Sequence, residues 1–344
     1  MTIHPRRPDY RELLTVLERK KPSRPVLFEF IIDPSVLLDA EAILPLSPDY
    51  PNGVRNWINA FAKNGYDYVS LPFWHLDLLR FPNGKHEVGA SISQNEGAMI
   101  TDWASYEAYP WPDASHGKYE RIEEIARELP DGMKFLLFSP SGVLENLIGL
   151  TGYDNLCYLL ADDPDLVQAV CDEVGSRLLS FYEYSLQNSS IAFAVVNDDW
   201  GYKTQTMLSP RDMRSLIFPW HKKIVDAIHR AGRPAILHSC GQMAMIWDDI
   251  IDQLHFDAKH SYEDGILPVE DAYEQYGNRI AILGGMDIDF LCRSTPDEIY
   301  QRSRKMIERS QDRGGYALGS GNSIPYYIPR LNYQAMRNAA LDPF

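Results

Sequence analysis

The stretch Pro234-Ala-Ile-Leu-His-Ser-Cys-Gly241 brings together residue types that can bind a metal ion. Its apolar start predicts a short buried strand, which runs directly into His238 and Cys240. Because side chains alternate between the two faces of a strand, His238 and Cys240 point to the same side. An imidazole and a thiol on one face are ligands suited to Zn²⁺. The pattern predicts part of a zinc site, which other segments must complete.

Composition narrows the classes of protein to which such a site can belong. The chain has 344 residues, of which 45% are hydrophobic and 24% charged, as in ordinary globular proteins. Its net charge of −15 disfavours nucleic acid and anionic membranes as partners. No apolar run approaches a membrane span, and the N-terminus lacks the apolar segment of a signal peptide. Four cysteines without paired spacing indicate the reducing cytoplasm rather than a disulfide scaffold.

Eight apolar segments with the features of strands alternate with helical patterns along the chain. They are residues 24–33, 66–73, 134–139, 191–196, 234–237, 256–259, 280–283 and 315–318. Helices are predicted to start at Pro164, Pro210 and Pro296, since proline is favoured in a first helical turn. This alternation predicts an α/β fold, a (β/α)₈ TIM barrel in one domain over residues 1–344. A doubly wound open sheet is the alternative, disfavoured because no Gly-rich phosphate fingerprint follows the first strand.

The regular alternation is interrupted after the second predicted strand. Residues 80–112 carry glycines and aromatic residues, among them Trp103 and Trp111, without strand or helix periodicity. We expect this excursion to be an insertion that forms a lid, a dimer contact or both. A homodimer is therefore one expectation of the sequence.

Polar residues follow almost every predicted strand, at the end where a TIM barrel carries its chemistry. They are Glu29, Asp33, Trp74, His75, Ser139, Asp198, Asp199, His238, Cys240, His260, Glu263, Asp287, Ser320, Asn322 and Ser323. Structural readings compete at several of these positions. Asp198 and Asp199 could cap a loop, His260 could be a hydrogen-bonded strand end, and Trp74 could be a wall. The other cysteines, Cys157, Cys171 and Cys292, fall in helices, where a structural role is more common.

Several of these segments, in this order, resemble the uroporphyrinogen decarboxylase superfamily. They are Asn197-Asp-Asp-Trp-Gly201, His238-Ser-Cys-Gly241, Lys259-His-Ser-Tyr-Glu-Asp264, Leu283-Gly-Gly-Met-Asp287 and Gly319-Ser-Gly-Asn-Ser-Ile-Pro325. The resemblance covers about residues 20–340. It implies a (β/α)₈ barrel with a deep mouth that takes a tetrapyrrole or a corrinoid-linked methyl group.

The decarboxylase branch of that superfamily matches this chain less well. Its members carry an Arg-rich segment after the first strand, where this chain has Phe28-Glu29-Phe30-Ile-Ile-Asp33. Carboxylates there would repel a polyanionic tetrapyrrole. The Asp that decarboxylases keep after the second strand is replaced by Phe73-Trp74-His75, and their strand-eight His is missing.

The second branch contains zinc-dependent methyltransferases that act with a corrinoid. Its signature of His-x-Cys after the fifth strand matches His238 and Cys240, but its further Cys after the eighth strand corresponds to Asn322. The third ligand is then Glu29, Asp199 or another rim group. The resemblance implies Lewis acid activation of a thiol or a methyl ether, with the corrinoid carried by a partner protein. A site with one thiolate fewer is harder, which favours an oxygen-bearing methyl donor.

These considerations give each candidate residue one expected role. The catalytic residues are Asp198, Asp199, His260 and Glu263; the substrate-binding residues are Glu29, Trp74, His75, Asp287 and Asn322; the metal ligands are His238, Cys240 and Glu29. The function predicted first is corrinoid-dependent methyl transfer, including O-demethylation. The alternatives are a tetrapyrrole decarboxylase and a non-catalytic barrel that carries a tetrapyrrole or corrinoid.

Overall fold

A parallel sheet of seven strands lies at the centre of the protein, and each strand pairs with the next one along the chain. The strands are β1 Tyr68–Ser70, β2 Lys134–Phe138, β3 Ile191–Asn197, β4 Ala235–His238, β5 Ala258–His260, β6 Ala281–Leu283 and β7 Tyr316–Ala317. The computed structural model describes residues 6–37, 51–72, 76, 78–82, 84, 94–95 and 97–343. The sequential parallel order confirms the α/β prediction and gives a TIM-barrel-like fold.

Helices connect the strands and cover the outside of the sheet. They are α1 Tyr10–Leu17, α2 Pro34–Leu37, α3 Pro51–Lys63, α4 Trp103–Ala108, α5 Glu120–Ala126, α6 Val143–Thr151, α7 Tyr153–Asp162, α8 Pro164–Ser185, α9 Pro210–Asp212, α10 Phe218–Arg230, α11 Val269–Tyr276, α12 Ile288–Arg293, α13 Pro296–Ser310 and α14 Arg330–Leu341. The three proline starts are confirmed. The side chains of Asp163, Ser209 and Thr295 each accept a backbone N–H of the helix they precede.

The structure corrects the prediction of a first strand over residues 24–33. The described chain there makes only single parallel bridges, Leu27 with Leu318 and Ile32 with Ile324. On its other side, the hydroxyl of Tyr68 donates to the carbonyl of Glu29, and the hydroxyl of Ser70 donates to that of Phe30. Side-chain hydroxyls thus take acceptors that the backbone of β1 would use in a regular ladder. The segment lies between β7 and β1 without forming a regular strand.

The register of the sheet brings the predicted site residues to one level. His238 at the end of β4 is level with Asn197 in β3 and with His260 in β5. Residues that follow these three positions therefore leave the sheet at the same edge. This alignment assembles the site from segments far apart in the sequence.

The excursion predicted over residues 80–112 falls between β1 and β2, and part of it lies outside the described residues. Within its described part, α4 begins at a capping box formed by Asp102 and Ser105. Its role as an insertion, lid or dimer contact stays a prediction. Among the helices described, none is both long and apolar enough to cross a membrane.

Candidate metal centre

Asp199, His238 and Cys240 form a cluster at the carboxyl ends of β3 and β4. Their ligand atoms all lie within 4.8 Å of one another. His238 is buried, whereas Asp199 and Cys240 are half-buried. A nitrogen, a sulfur and a carboxylate oxygen at this spacing are a donor set that fits a divalent transition metal such as Zn²⁺.

Backbone contacts between two loops hold Asp199 and Cys240 together. The amide of Cys240 donates to Oδ1 of Asp199 at 2.9 Å, and the amide of Gly201 donates to the carbonyl of Cys240 at 3.1 Å. Where the loops cross, a Cβ added to Gly241, which has a φ of +85°, would lie 2.2 Å from the carbonyl carbon of Gly201. Glycine at position 241 therefore permits the close approach that places the carboxylate beside the sulfur.

The ring of His238 is held on both sides. Its Nδ1 lies 2.8 Å from Nδ1 of His260, and its Nε2 lies 3.8 Å from Sγ of Cys240. The ring of Phe30 packs on it at a centroid distance of 4.4 Å. Burial, followed by the neighbouring His260 and Lys259, holds the pKa of His238 well below its usual range. The imidazole is therefore neutral at physiological pH and can use a nitrogen lone pair for a metal.

Two side chains donate hydrogen bonds to the sulfur of Cys240. The Oγ of Ser261 lies 3.3 Å from Sγ, and Nδ2 of Asn322 lies 3.2 Å from it. Burial, followed by the carboxylate of Asp199, raises the pKa of the thiol in the metal-free protein. A cation bound at the cluster reverses this effect, because it favours the thiolate over the thiol.

Lys259 lies fully buried beside the cluster. Its ammonium group donates to the carbonyl oxygens of Ser239, His260 and Ser261, which joins the ends of β4 and β5. Burial lowers the pKa of Lys259 to about 8. The carboxylate of Glu263, predicted to be catalytic, interacts electrostatically with this ammonium group and lines a small cavity with it.

Glu29, predicted as a metal ligand and substrate contact, lies outside the cluster of Asp199, His238 and Cys240. It is fully buried, and its two carboxyl oxygens contact the amide and the hydroxyl of Ser320. Burial raises its pKa to about 8. The structure therefore groups Asp199, not Glu29, with the histidine and the cysteine.

Asp198, also predicted to be catalytic, is fully buried and caps a helix. Its carboxylate accepts the amides of Leu144 and Glu145 in the first turn of α6 at 2.9 and 2.8 Å. It also accepts Nε1 of Trp200 at 2.9 Å and lies 2.8 Å from Nε2 of His221. These contacts indicate a structural role for Asp198. The sequence leaves such a role, the capping of a loop, open as the alternative to catalysis.

The remaining predicted residues divide into three groups. Asp287 caps α12 through the amides of Asp289 and Phe290 and accepts the amide of Asp264, so its carboxylate organises the backbone. His260 and Asn322 contact the two ligands, as described above. Trp74 and His75 lie outside the described residues, and their roles stay predictions.

A cavity of about 280 Å³ opens beside the cluster, and Asp199 lines it. Its other walls include Glu145, Asn146, Tyr202 and Met207. The described residues that line it include no Lys, Arg or His. A small molecule in this cavity would contact one ligand of the candidate metal centre.

Comparison with known proteins identifies the family of this chain. The sequence model of the uroporphyrinogen decarboxylase (URO-D) family matches residues 97–342. The chain belongs to the URO-D family. This URO-D protein also superposes on a solved methyltransferase from Methanosarcina mazei with a TM-score of 0.68 at 16% identity, over 96% of this chain and 97% of that one. The superposition shows that the two proteins share a fold.

The curated relatives of this URO-D protein include methyltransferases and decarboxylases. It is 25% identical over 222 residues to a methylated-thiol–coenzyme M methyltransferase of Methanosarcina mazei, which is 62% of this chain and 54% of the relative. Identity to a methylcobamide:CoM methyltransferase of the same organism is 22%, over 63% and 60% of the two chains. A uroporphyrinogen decarboxylase of Hydrogenovibrio crunogenus is 25% identical, over 48% and 45%. The chain spans about half of these relatives' lengths.

Sequence reasoning missed three residues that support the centre. Ser261 donates to the cysteine sulfur, Lys259 joins two strand ends, and His221 contacts the buried Asp198. Ser261 had a signal, because it directly follows His260 at a predicted strand end. His221 had none, since its position within a helix shows no link to a strand in the sequence.

Proposed function

We propose that this URO-D protein is a methyltransferase that holds Zn²⁺ with Asp199, His238 and Cys240 and exchanges a methyl group with a corrinoid. The observation that carries the proposal is the convergence of three ligand atoms within 4.8 Å, beside a cavity that one of the ligands lines. Catalytic zinc sites use three protein ligands and keep one position for substrate. The methyltransferase relatives support the same reading.

The residues around the cluster prepare it for a cation. His238 offers a neutral imidazole, while Ser261 and Asn322 donate hydrogen bonds that stabilise a thiolate at Cys240. Zinc bound there would supply Lewis acidity, which polarises an ether oxygen or lowers the pKa of a thiol. Asp199 brings the second negative charge, so the ligand set neutralises a divalent ion.

The substrate we propose is a small methyl ether without acidic groups. An aspartate oxygen in place of a second thiolate makes the site harder and suits an oxygen-bearing methyl donor. The described walls of the cavity offer amide and hydroxyl groups and no cation for a carboxylate or sulfonate. The reaction would break the O–CH₃ bond and form a Co–CH₃ bond. A reduced Co(I) corrinoid carried by a partner protein would supply the electron pair of the new bond and become methyl-Co(III), while the alcohol oxygen keeps the pair of the broken bond and takes a proton.

The finer architecture belongs to the same proposal. We infer that residues 24–33 close the sheet as an eighth, irregular strand of one barrel domain, since they lie between β7 and β1. A closed barrel places Glu29, His238 and His260 around a common interior. The packing of Phe28 on the ring of His260, at a centroid distance of 5.1 Å, supports this arrangement.

Decarboxylation of a tetrapyrrole is the second candidate, favoured by the decarboxylase relatives. A polycarboxylate substrate needs cationic partners near the reacting group. Glu29 is buried against Ser320, and the described walls of the cavity carry no cation. These features favour methyl transfer over decarboxylation.

One set of assays separates the hypotheses. The protein is incubated with cob(I)alamin and a panel of aryl and alkyl methyl ethers and thioethers, and methylcobalamin is followed by its absorbance. We expect turnover with an ether and its loss in Cys240→Ser, whereas Cys157→Ser serves as a matched control that retains it. Conversion of uroporphyrinogen to less carboxylated products, without methyl transfer, would establish the decarboxylase. Tight corrinoid binding without either reaction would establish a carrier.

A further inference from the structure

We propose that Glu29, Ser320 and His260 form a hydrogen-bonded relay, called here the positioning relay, that fixes the proton of His238 on Nδ1. The lone pair of Nε2 is then directed at the cluster. In this assignment His260 is a positioning residue, and Glu29 is a neutral carboxylic acid. The role of the relay in metal binding rests on the proposed function, but its proton positions do not.

The first part of the relay follows from the carbonyl of Ser320. This oxygen lies 3.1 Å from Nε2 of His260, and a carbonyl can only accept, so Nε2 carries the proton. His260 is fully buried against the rings of Phe28 and Phe30, which offer no anion to a charged imidazole, so the ring is neutral and its Nδ1 is an acceptor. That nitrogen lies 2.8 Å from Nδ1 of His238, which must therefore donate. The neutral ring of His238 then has its lone pair on Nε2, the nitrogen nearer to Cys240.

The second part of the relay follows from the single hydrogen of the Ser320 hydroxyl. Its Oγ contacts Oε2 of Glu29 at 2.6 Å and also contacts the carbonyl oxygen of Asn322. Because the carbonyl can only accept, the hydroxyl hydrogen belongs to the contact with Asn322. The contact with Glu29 then needs a hydrogen on Oε2, while Oε1 accepts the amide of Ser320. A protonated Glu29 satisfies every group, whereas an ionised one leaves two oxygens facing each other without a hydrogen.

The backbone packs closely against the relay. Gly284, with a φ of +71°, lies against it, and a Cβ there would approach the Ser320 oxygen to 2.2 Å and Nε2 of His260 to 2.9 Å. Asn322 lies two residues after Ser320, and its side-chain amide donates to the sulfur of Cys240. The loop after β7 therefore contacts the cysteine ligand directly, through Asn322, and supports the histidine ligand indirectly, because Ser320 contacts His260. Partners of this kind orient a ligand ring and fix its tautomer.

Nuclear magnetic resonance can read the proton positions in the metal-free protein. With ¹⁵N-labelled histidine, long-range ¹H–¹⁵N spectra distinguish protonated from unprotonated ring nitrogens, and single His variants assign the signals. We expect His238 protonated on Nδ1 and His260 on Nε2, both neutral at pH 7. A proton on Nε2 of His238, or a cationic ring at either position, would overturn the proposal.

Substitutions at Glu29 test the neutral acid. Glu29→Gln keeps one donor and one acceptor, so we expect Zn²⁺ affinity, measured by competition with a chelating dye, within about threefold of the wild type. Glu29→Ala and His260→Ala should weaken it by about 10- to 100-fold, the usual effect of losing a partner of a metal ligand. Asp33→Asn, in the same segment, is the control without effect. Equal loss in Glu29→Gln and Glu29→Ala would show an ionised Glu29 and refute the relay.

The two proposals fail in different ways. Wild-type protein that binds no Zn²⁺ would remove the proposed function, and the tautomers of the metal-free protein would still test the relay. Wild-type protein that binds Zn²⁺ with the opposite His238 tautomer would leave the function and remove the relay. Glu29→Gln keeps the native hydrogen-bonding groups, so its result does not depend on whether His260→Ala folds.

Discussion

Asp199 follows β3, whereas Glu29 lies in residues 24–33, the segment between β7 and β1. The sequence presents both residues alike, as carboxylates at strand ends. Asp199 is half-buried, lines a cavity and lies with His238 and Cys240 in one cluster of ligand atoms. Glu29 is fully buried, and its two carboxyl oxygens contact the amide and the hydroxyl of Ser320. Burial and hydrogen-bond partners, rather than position on the rim, therefore distinguish the carboxylate of the proposed metal centre from the one that contacts Ser320.

The neighbouring pair Asp198 and Asp199 repeats the contrast within one loop. Asp198 caps α6 and contacts Trp200 and His221, whereas Asp199 accepts the amide of Cys240 and faces the cavity. Consecutive residues thus divide into one that caps a helix and one that belongs to the proposed metal centre.

Exchanging the two aspartates for alanine should separate stability from metal binding. Asp198→Ala leaves buried donors without an acceptor, and we expect it to lower the free energy of unfolding by about 3–5 kcal/mol. Asp199→Ala should change that free energy by less than about 1 kcal/mol and weaken Zn²⁺ binding by more than about 100-fold, since it removes a ligand rather than a ligand's partner. Urea unfolding and metal titration measure the two effects.

The matched control is Asp163→Ala, which removes a helix cap of α8 far from the centre in sequence. It should cost about 1 kcal/mol of stability and leave Zn²⁺ affinity unchanged. Loss of metal affinity in Asp198→Ala with stability intact would contradict the division of tasks.

Because burial raises the pKa of Glu29 to about 8, we expect this residue to make the free energy of unfolding depend on pH. Between pH 4.5 and 8 the unfolded chain releases this proton and the folded protein keeps it, so stability falls as pH rises through that window. The slope from this group is at most about 1.4 kcal/mol per pH unit. We expect Glu29→Gln to remove it, so that the variant gains stability over the wild type between pH 5 and pH 8 in denaturant titrations at each pH.

A wild-type protein that parallels Glu29→Gln at every pH would mean that Glu29 ionises normally when folded. Asp33→Asn provides the comparison for an unspecific effect of removing one negative charge from this segment.

The smallest expected effects concern the sulfur of Cys240. Removing one hydrogen bond by Ser261→Ala or Asn322→Ala should weaken Zn²⁺ binding by about 2- to 10-fold, as expected for about 0.5–1.5 kcal/mol. Asn322→Cys should instead strengthen it, because Nδ2 of Asn322 is 3.2 Å from the sulfur and a thiolate there adds a ligand. Ser323→Ala, in the same loop, is the control. Weaker binding in Asn322→Cys would show that position 322 cannot reach the metal.

The sequence predicts most of the fold for physical reasons that are local. Apolar strands and proline helix starts such as Pro164 and Pro296 depend on neighbours in the chain, and the structure confirms them. The irregular structure of residues 24–33 could not be predicted from neighbours in the chain. Its lack of regular pairing depends on hydroxyls of Tyr68 and Ser70, which lie about 40 residues away.

The candidate site was predictable in part. His238 and Cys240 share a strand, so their side is set by alternation, and the structure places them in one cluster. The choice between Asp199 and Glu29 depends on a loop crossing at Gly201 and Gly241 and on contacts with Ser320, which lies 291 positions from Glu29. Sequence spacing carries no information on either. O-demethylation, the cytoplasmic location and a homodimer stay predictions.

Titration of the 344-residue protein with Co²⁺, followed by absorption spectroscopy, tests the central proposal of a metal held by Asp199, His238 and Cys240 most directly. We expect one equivalent to bind and to give a thiolate-to-cobalt charge-transfer band in the near ultraviolet. That band should vanish in Cys240→Ser and persist in Cys171→Ser, whose thiol is buried elsewhere. A wild-type protein that binds no metal ion, or a band that survives Cys240→Ser, would contradict the proposed centre.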